Sequence, residues 1–407
     1  MRVDFDTDAF IRRRVTGRER SLLADDLDRH DAELCSHISG ARVLVVGGGG
    51  SIGSHYIKAL LHFDVAKLVV VDINENELTE LTRDLRSAGK YRVPNDFVTY
   101  PVNFADTVFK KLFRAHGHFD IVANFAAHKH VRSEKDIFSI EAMIENNLLR
   151  ARGLLDLLRE APPRHFFCVS TDKAANPVNI MGASKKLMED MILAYADGLP
   201  VKTARFANVA FSNGSLPFGF LQRLRKRQPW ACPLNIRRFF VSPVESGELC
   251  LLASVIAKSG DIVFPKLDPD KDMISFEQMA VELLRELGME PDVCNTEDEA
   301  REKMKVCAGG VTKKWPVYFF ESDTSGEKAF EEFYTSDETL DFDVFTNLGV
   351  VKNARRRSLS DIDMIFEELR RLFASDSVSK EKIVTVLKNY LPNFAHSENG
   401  RGLDSKM

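Results

Sequence analysis

The sequence predicts an α/β fold, a doubly wound parallel sheet followed by a smaller mixed C-terminal lobe. Short apolar runs of strand length alternate with helical patterns from residue 42 to residue 206. That order builds parallel sheets from strand–helix–strand units. A glycine-rich turn joins the first apolar run to a helix, and the second run ends in an acid. Beyond Ala207 the alternation loosens into polar loops, basic stretches and separate amphipathic helices.

A chain of 407 residues buries a full core as one large or two medium domains. Its net charge of -4 gives no general reason to expect nucleic acid or an anionic membrane surface. Six cysteines (Cys35, Cys168, Cys232, Cys250, Cys294, Cys307) are scattered without a C-x-x-C pair. Such usage fits a reducing compartment better than a disulfide framework or a zinc site. The amino terminus has no apolar signal core, and no run reaches the roughly 18 apolar residues of a membrane helix. The expectation is a cytoplasmic protein without membrane insertion.

Residues 1–40 are polar and helix-prone, with Leu22, Leu23 and Leu27 at helical spacing and Gly40 as a stop. They are expected to form a packing arm, with a subunit contact as one place for it. Arg42 to Val46 is a buried-strand run, and Tyr56, Ile57, Leu60 and Leu61 repeat at helical spacing after the turn. Within the turn, Gly47, Gly50 and Gly53 have G-x-x-G-x-x-G spacing, with Ser51 and Ile52 opening the helix. This lets backbone approach a pyrophosphate, whose charge the helix amino terminus favours. Lys67 to Asp72 reads as the second strand, and its terminal acid suits a ribose 2′-hydroxyl. Ile73 and Asn74 follow it instead of arginine, which favours NAD over NADP. A structural turn in a nucleotide-free sheet is the alternative.

Glu75 to Leu85 reads as a helix, Phe97 to Tyr100 as strand three, Asp106 to Ala115 as a helix and Asp120 to Asn124 as strand four. Asn103 and Phe104, just past strand three, are candidates for the adenine edge. Phe125, Ala126 and Ala127 follow strand four and would let a nicotinamide or ribose lie close to backbone. In His128-Lys129-His130 the i, i+2 histidine spacing is poor for zinc. Lys129 and His130 are candidates for a phosphate or sugar contact, with a plain exposed loop as the alternative. Ile137 to Leu158 is a long helix carrying Asn146 and Asn147.

His165 to Val169 reads as strand five and leads into Ser170-Thr171-Asp172-Lys173. A helix beginning near Asn179 then carries Met181 and Lys185. An acid and a base thus emerge at the carboxyl end of a strand, where open parallel sheets bind ligands. Such a pair suits proton transfer. Val201 to Phe206 is strand six. Asn208, Ser212, Asn213, Gly214 and Ser215 form a polar loop. The basic run Leu221 to Arg227 reads as a solvated face, and Arg237 or Arg238 beside Phe239 as a diphosphate clamp. Helical patterns follow at Glu245 to Ala257, Phe276 to Leu287 and Glu297 to Lys305, and Tyr318 to Tyr334 is assigned to the second lobe. The expected division is a helical arm over 1–40, a Rossmann domain with the catalytic motif over 41–206, and a substrate lobe with C-terminal helices over 207–392. The chain is allowed to re-enter the first domain around 239–264, and a disordered tail is expected over 393–407.

Several motifs together resemble the extended short-chain dehydrogenase/reductase superfamily, and within it the branch holding UDP-N-acetylglucosamine 4,6-dehydratases. They are Val46 to Gly53, Ala126 to Val131, Asn147, Ser170 to Pro177 with Asn179 to Lys185, Arg205 to Asn208, Asn213 to Ser215, and Gly326 to Lys328. The superfamily's Tyr-x-x-x-Lys becomes Met181-x-x-x-Lys185. A thioether cannot act as base, and the methionine variant occurs in this branch. The chain departs from the branch pattern at Val46, Asn103, Asn124, His128 and Arg132.

The resemblance implies NAD as cofactor and a UDP-sugar as substrate. NAD would take a hydride from sugar C4 and return it at C6. Lys173 would remove the C5 hydrogen, Asp172 would donate to the departing 6-hydroxyl and Thr171 would hydrogen-bond the 4-hydroxyl. Lys185 would hold the nicotinamide ribose, while Met181 would pack on the sugar. Asn147 is placed with the cofactor set; Lys129, His130, Asn208, Ser212 and Arg238 are placed with the substrate. A homo-oligomer through helices 106–116 and 137–160 is implied as well. Two other readings stand beside this one: an NAD-dependent epimerase, or dehydratase with C5 inversion, and a dinucleotide-binding sensor without turnover.

Overall fold

A computed structural model describes residues 5–129, 134–307, 313–321, 330–352 and 354–396. Six strands lie in the expected places: β1 (Arg42–Val46), β2 (Lys67–Asp72), β3 (Asp96–Pro101), β4 (Ile121–Asn124), β5 (His165–Val169) and β6 (Val201–Ala204). They run parallel in the order β3-β2-β1-β4-β5-β6, and Ile262–Pro265 adds a parallel strand beyond β6. Leu348–Lys352 and Thr339–Asp341 then close that edge antiparallel. The expected doubly wound α/β sheet is therefore present. Val43, Leu44, Val45, Leu68, Val69 and Val70 are fully buried. Helices on both faces explain why β1 and β2 read as continuous apolar runs rather than alternating ones. The chain leaves β1 toward β2 and β3 and returns to β4 on the other side, so a crevice opens at the carboxyl ends of β1 and β4.

The expected boundary near residue 206 is crossed again by later segments. The helix Pro243–Val255 packs on Ser51–Leu60, the helix that follows the glycine turn. A Cβ added to Gly247 would lie 2.2 Å from the His55 carbonyl oxygen, so only glycine permits this approach. The C-terminal helices Leu359–Phe373 and Lys380–Tyr390 also pack on the large domain, not on the second lobe. Ile362, Ile365, Phe366, Ile383 and Leu387 share one apolar core with Leu154, Leu155, Met188 and Ile192. Arg152 Nη1 pairs with Asp363 at 2.8 Å, and Arg357 Nε with Asp190 at 2.9 Å. Periodicity shows that a helix face is buried, but not what covers it. Here the chain's own tail shares the core formed by the apolar face of the 137–160 helix, which was expected to meet another subunit.

The second lobe contains two three-stranded sheets, Met273–Ser275 with Arg237–Val241 and Asn208–Val209, and Glu290–Cys294 with Lys314–Glu321 and Trp230–Leu234. Its core of Phe220, Trp230, Phe240, Met279, Leu283 and Trp315 also takes Phe10, Ile11 and Val15 from the amino-terminal arm. The rest of the arm lies on the large domain, where Leu23, Leu34 and Ile38 join the core of β1 and β2. Arg18 stitches the lobes at this junction, with Nε 2.8 Å and Nη2 2.9 Å from the Glu245 carboxylate and Nη2 3.0 Å from the Phe240 carbonyl oxygen. The tail expected to be disordered falls mostly outside the described residues, as does Gly326-Glu327-Lys328. Among the described residues, no helix is long and apolar enough to cross a membrane.

Gly247→Ala is expected to force the two helices apart and destabilise the protein by about 1–3 kcal/mol, read as a lowered thermal midpoint. An unchanged midpoint would show that the close crossing is not needed.

Candidate active site

One cavity of about 980 Å³ runs from the carboxyl ends of β1 and β2 across β4 and β5 into the second lobe. Its size is at the upper end for ligand sites, and its position at the topological switch follows from the strand order. Gly47, Gly50, Ser51, Ile52, Gly53, Asp72, Ile73, Asn103, Phe104, Phe125, Ala126 and Ala127 line one end. Thr171, Asp172, Lys173, Met181 and Lys185 line the middle, with Lys129, Asn208 and Ser212 also on the wall. Residues distant in sequence are thus brought to one hollow.

The glycine turn is built for close approach. Gly47 has φ +75°, and a Cβ there would lie 2.5 Å from Ala126 N. A Cβ on Gly53 would lie 2.4 Å from the Gly47 carbonyl oxygen. The Asp72 carboxylate accepts from Gly49 N at 2.9 Å and from Asn74 N at 3.0 Å, so it is held at the mouth of the turn. Ile73 is 72 % exposed beside it and offers an apolar surface. Bare backbone at a helix amino terminus, with an acid at the end of the next strand, fits a dinucleotide.

Asn147 does not line the cavity. It lies in a π-helical turn, Glu145–Arg150, inside the helix that begins at Ile137. Its side chain accepts from His128 N at 2.9 Å and donates to His128 O at 3.0 Å and Ser184 Oγ at 3.2 Å. It fixes the loop after β4 from behind. His130 lies outside the described residues. Arg238 is buried away from the cavity wall, with Nη1 2.9 Å from the Arg237 carbonyl oxygen. Arg223 lines the cavity instead, with Gln222, Phe218, Phe220, Trp230 and Phe320. It comes from the basic run read as solvated. Arg223 is half-buried within the helix Leu216–Arg225, whereas Arg225 at its end and Lys226 and Arg227 just past it are exposed.

β5 ends at Val169, and the chain turns through Ser170 into a short 3₁₀ turn, Asp172–Ala174. Three donors converge on Asp172 Oδ1: Thr171 Oγ1 at 2.7 Å, Lys173 N at 2.9 Å and Lys173 Nζ at 3.1 Å. Asp172 is 4 % exposed. Burial pulls the Lys173 ammonium down, but the carboxylates of Asp172 and Glu331 outweigh it and hold its pKa above the ordinary lysine value. Lys185 behaves oppositely. It is buried, donates to the Val169 carbonyl oxygen at 3.0 Å, and burial lowers its pKa. Met181 is buried against the cavity, and its backbone N donates to Glu134 at 2.8 Å.

Behind the turn lies a buried network that sequence reasoning missed. Ser170 Oγ donates to Glu189 at 2.7 Å. Arg205, fully buried, meets Glu189 at 2.9 and 3.0 Å and Glu338 at 2.7 Å through two nitrogens. It also donates to the Phe333 carbonyl oxygen at 2.9 Å. These contacts pin residues 331–338 near the Asp172–Ala174 turn, and Glu331 Oε1 comes 3.6 Å from Lys173 Nζ. The Arg205 motif was visible in the sequence, but neither its partners nor Glu331 carried a local signal.

The profile of the polysaccharide biosynthesis protein family matches residues 43–352. The chain is 30 % identical over 355 residues to the uncharacterized membrane protein MJ1061 of Methanocaldococcus jannaschii, covering 85 % of this chain and 95 % of that one. It is 25 % identical over 386 residues to the probable polysaccharide biosynthesis protein EpsC of Bacillus subtilis, covering 90 % of this chain but only 60 % of EpsC. In fold it is similar to Pen from Bacillus thuringiensis, with a TM-score of 0.61, 19 % identity and coverage of 82 % of this chain and 98 % of Pen. It is also similar to the dTDP-glucose 4,6-dehydratase DesIV from Streptomyces venezuelae, with a TM-score of 0.53, 17 % identity and coverage of 81 % and 97 %. With a family match over most of its length, the chain belongs to the polysaccharide biosynthesis protein family.

Proposed function

We propose that the protein is an NAD-dependent nucleotide-sugar 4,6-dehydratase. Its substrate is a UDP-N-acetylhexosamine, UDP-N-acetylglucosamine foremost, and its product is a 4-keto-6-deoxy sugar for surface polysaccharide or glycan. The observation that carries this reading is the Asp172–Lys173 pair, 3.1 Å apart, on the wall of a cavity shared with the glycine turn and Asp72. The family's printed role and the fold shared with an enzyme of that name support it.

The dinucleotide, when bound, supplies an acceptor for the hydride leaving sugar C4 and returns it at C6, so no net oxidation results. Gly47, Gly50 and Gly53 would admit its pyrophosphate, Asp72 its adenosine ribose, and Lys185 its nicotinamide ribose. Arg223 would meet the substrate diphosphate, with Phe218 and Trp230 beside the base. Thr171 would pass the proton of the 4-hydroxyl to Asp172. The resulting 4-ketone acidifies C5, and Lys173, once it has shed its own proton, would take the C5 hydrogen. Asp172 would then give its proton to the 6-hydroxyl as water departs. Met181 leaves no phenol on the helix to act as base, which supports Asp172 and Lys173 as the proton carriers and weighs against simple 4-epimerisation.

With UDP-N-acetylglucosamine the wild type is expected to form a product lighter by one water, seen by mass spectrometry. Asp172→Asn should lower turnover by about 10²-fold or more while leaving dinucleotide binding intact. Near-normal turnover in that variant would remove Asp172 from the chemistry. Lys173→Ala should stop deuterium from solvent entering at C5; continued exchange would put the base elsewhere.

A further inference from the structure

The dehydratase reading leaves one proton unaccounted for. Lys173 must be neutral to take a hydrogen from C5, yet here it sits between two carboxylates, Asp172 Oδ1 at 3.1 Å and Glu331 Oε1 at 3.6 Å. Asp172 cannot receive the lysine proton as well, because it is already assigned the proton of the 4-hydroxyl. Glu331 has no role so far. It is only 4 % exposed, although it lies in an irregular segment of the second half of the chain.

That placement is enforced from several sides. Arg205 holds Phe333 and Glu338, and Asn176 Nδ2 donates to Glu332 at 2.9 Å. The stretch that follows Glu331 is thus clipped at Glu332, Phe333 and Glu338 to residues beside the Asp172–Lys173 turn. An acid buried beside the Lys173 ammonium is costly unless it is paired. The charged groups acting on Lys173 are Asp172 from its own turn, Glu331 from this segment and Arg238 from the strand Arg237–Val241, whose charge opposes the two acids.

We propose that Glu331 is a positioning residue for Lys173: it holds the amine at the cavity together with Asp172 and stores the lysine proton during the reaction. This rests on the dehydratase reading for its place in the cycle. Before C5 is attacked, the ammonium proton passes to the Glu331 carboxylate, giving a neutral amine and a carboxylic acid. The amine then takes the C5 hydrogen as a proton, and the electron pair left behind expels the 6-hydroxyl, which takes Asp172's proton and leaves as water. When hydride arrives at C6, the ammonium returns a proton to C5, and Glu331 gives back the stored one. Each group ends as it began, and no outside acid or base is consumed.

The test is the titration of Lys173 itself. Trace labelling of lysines with acetic anhydride across alkaline pH, read by peptide mass spectrometry, gives the midpoint for each amine without substrate. Removing an acid this close should lower the Lys173 midpoint in Glu331→Gln by about one unit or more. Lys58, paired with Asp84 on the surface, should keep its midpoint as a check on folding. Glu331→Asp, the milder change, withdraws the carboxylate by one methylene and should shift the midpoint the same way by less. Rates of C5 exchange should follow, with the acidic limb of their pH profile displaced downward in Glu331→Gln. The same Lys173 midpoint in wild type and both variants would overturn the assignment. The labelling needs no sugar, so it decides the role of Glu331 even where no sugar loses water; that failure would count against the dehydratase reading alone.

Discussion

The interaction on which the site depends is the fully buried Arg205 guanidinium between the carboxylates of Glu189 and Glu338. β6 delivers Arg205 just past its last residue, where its backbone N still reaches Val263 O at 2.8 Å. The helix Ile180–Leu193, which also carries Met181 and Lys185, brings Glu189. A buried ion pair of this kind adds little net stability, because both charges lose their water. Breaking it is another matter, since about 3–5 kcal/mol is lost when one charge remains alone. Its value is therefore in geometry. It locks together the end of β6, the helix behind the active site, Ser170 at the end of β5, and the segment reaching over from the far part of the chain.

From that lock the electrostatics of the cavity follow. Two lysines within sixteen positions of the end of β5 face the same hollow with opposite biases. Lys185 has a backbone carbonyl and a thioether for company, and burial makes its positive charge costly. A bound anion or electron-rich ribose would relieve that cost. Lys173 is surrounded by acid and retains its proton. Lys185 is thereby suited to meeting a ligand, whereas Lys173 is held as an ammonium by its acids, although composition alone makes the two equivalent.

Much of this was readable because its signals are local. Strand runs, the glycine spacing, the acid ending β2, and Asp172 beside Lys173 each lie within a few residues, and the parallel order of the sheet follows from their succession. What escaped was whatever depends on contacts between remote segments. Arg223 reads as a surface charge because a basic run does not show which of its members lines a cavity. The aromatic neighbours of Arg238 point to a clamp, yet it is buried and does not line the cavity. Asn147 reads as a ligand contact from its motif, whereas its amide spans the His128 backbone. The tail helices announced an apolar face without naming its cover. Glu331 is an ordinary glutamate in a charged stretch until folding brings it to Lys173.

The central claim is that one sugar loses and regains the same hydride within this cavity while Asp172 and Lys173 move the protons. The most direct measurement follows the label in UDP-N-acetylglucosamine deuterated at C4, with the product read by NMR. The account predicts that the deuterium appears at C6 of the dehydrated product and is not exchanged with solvent. Deuterium kept at C4, or lost to water during turnover, would contradict it.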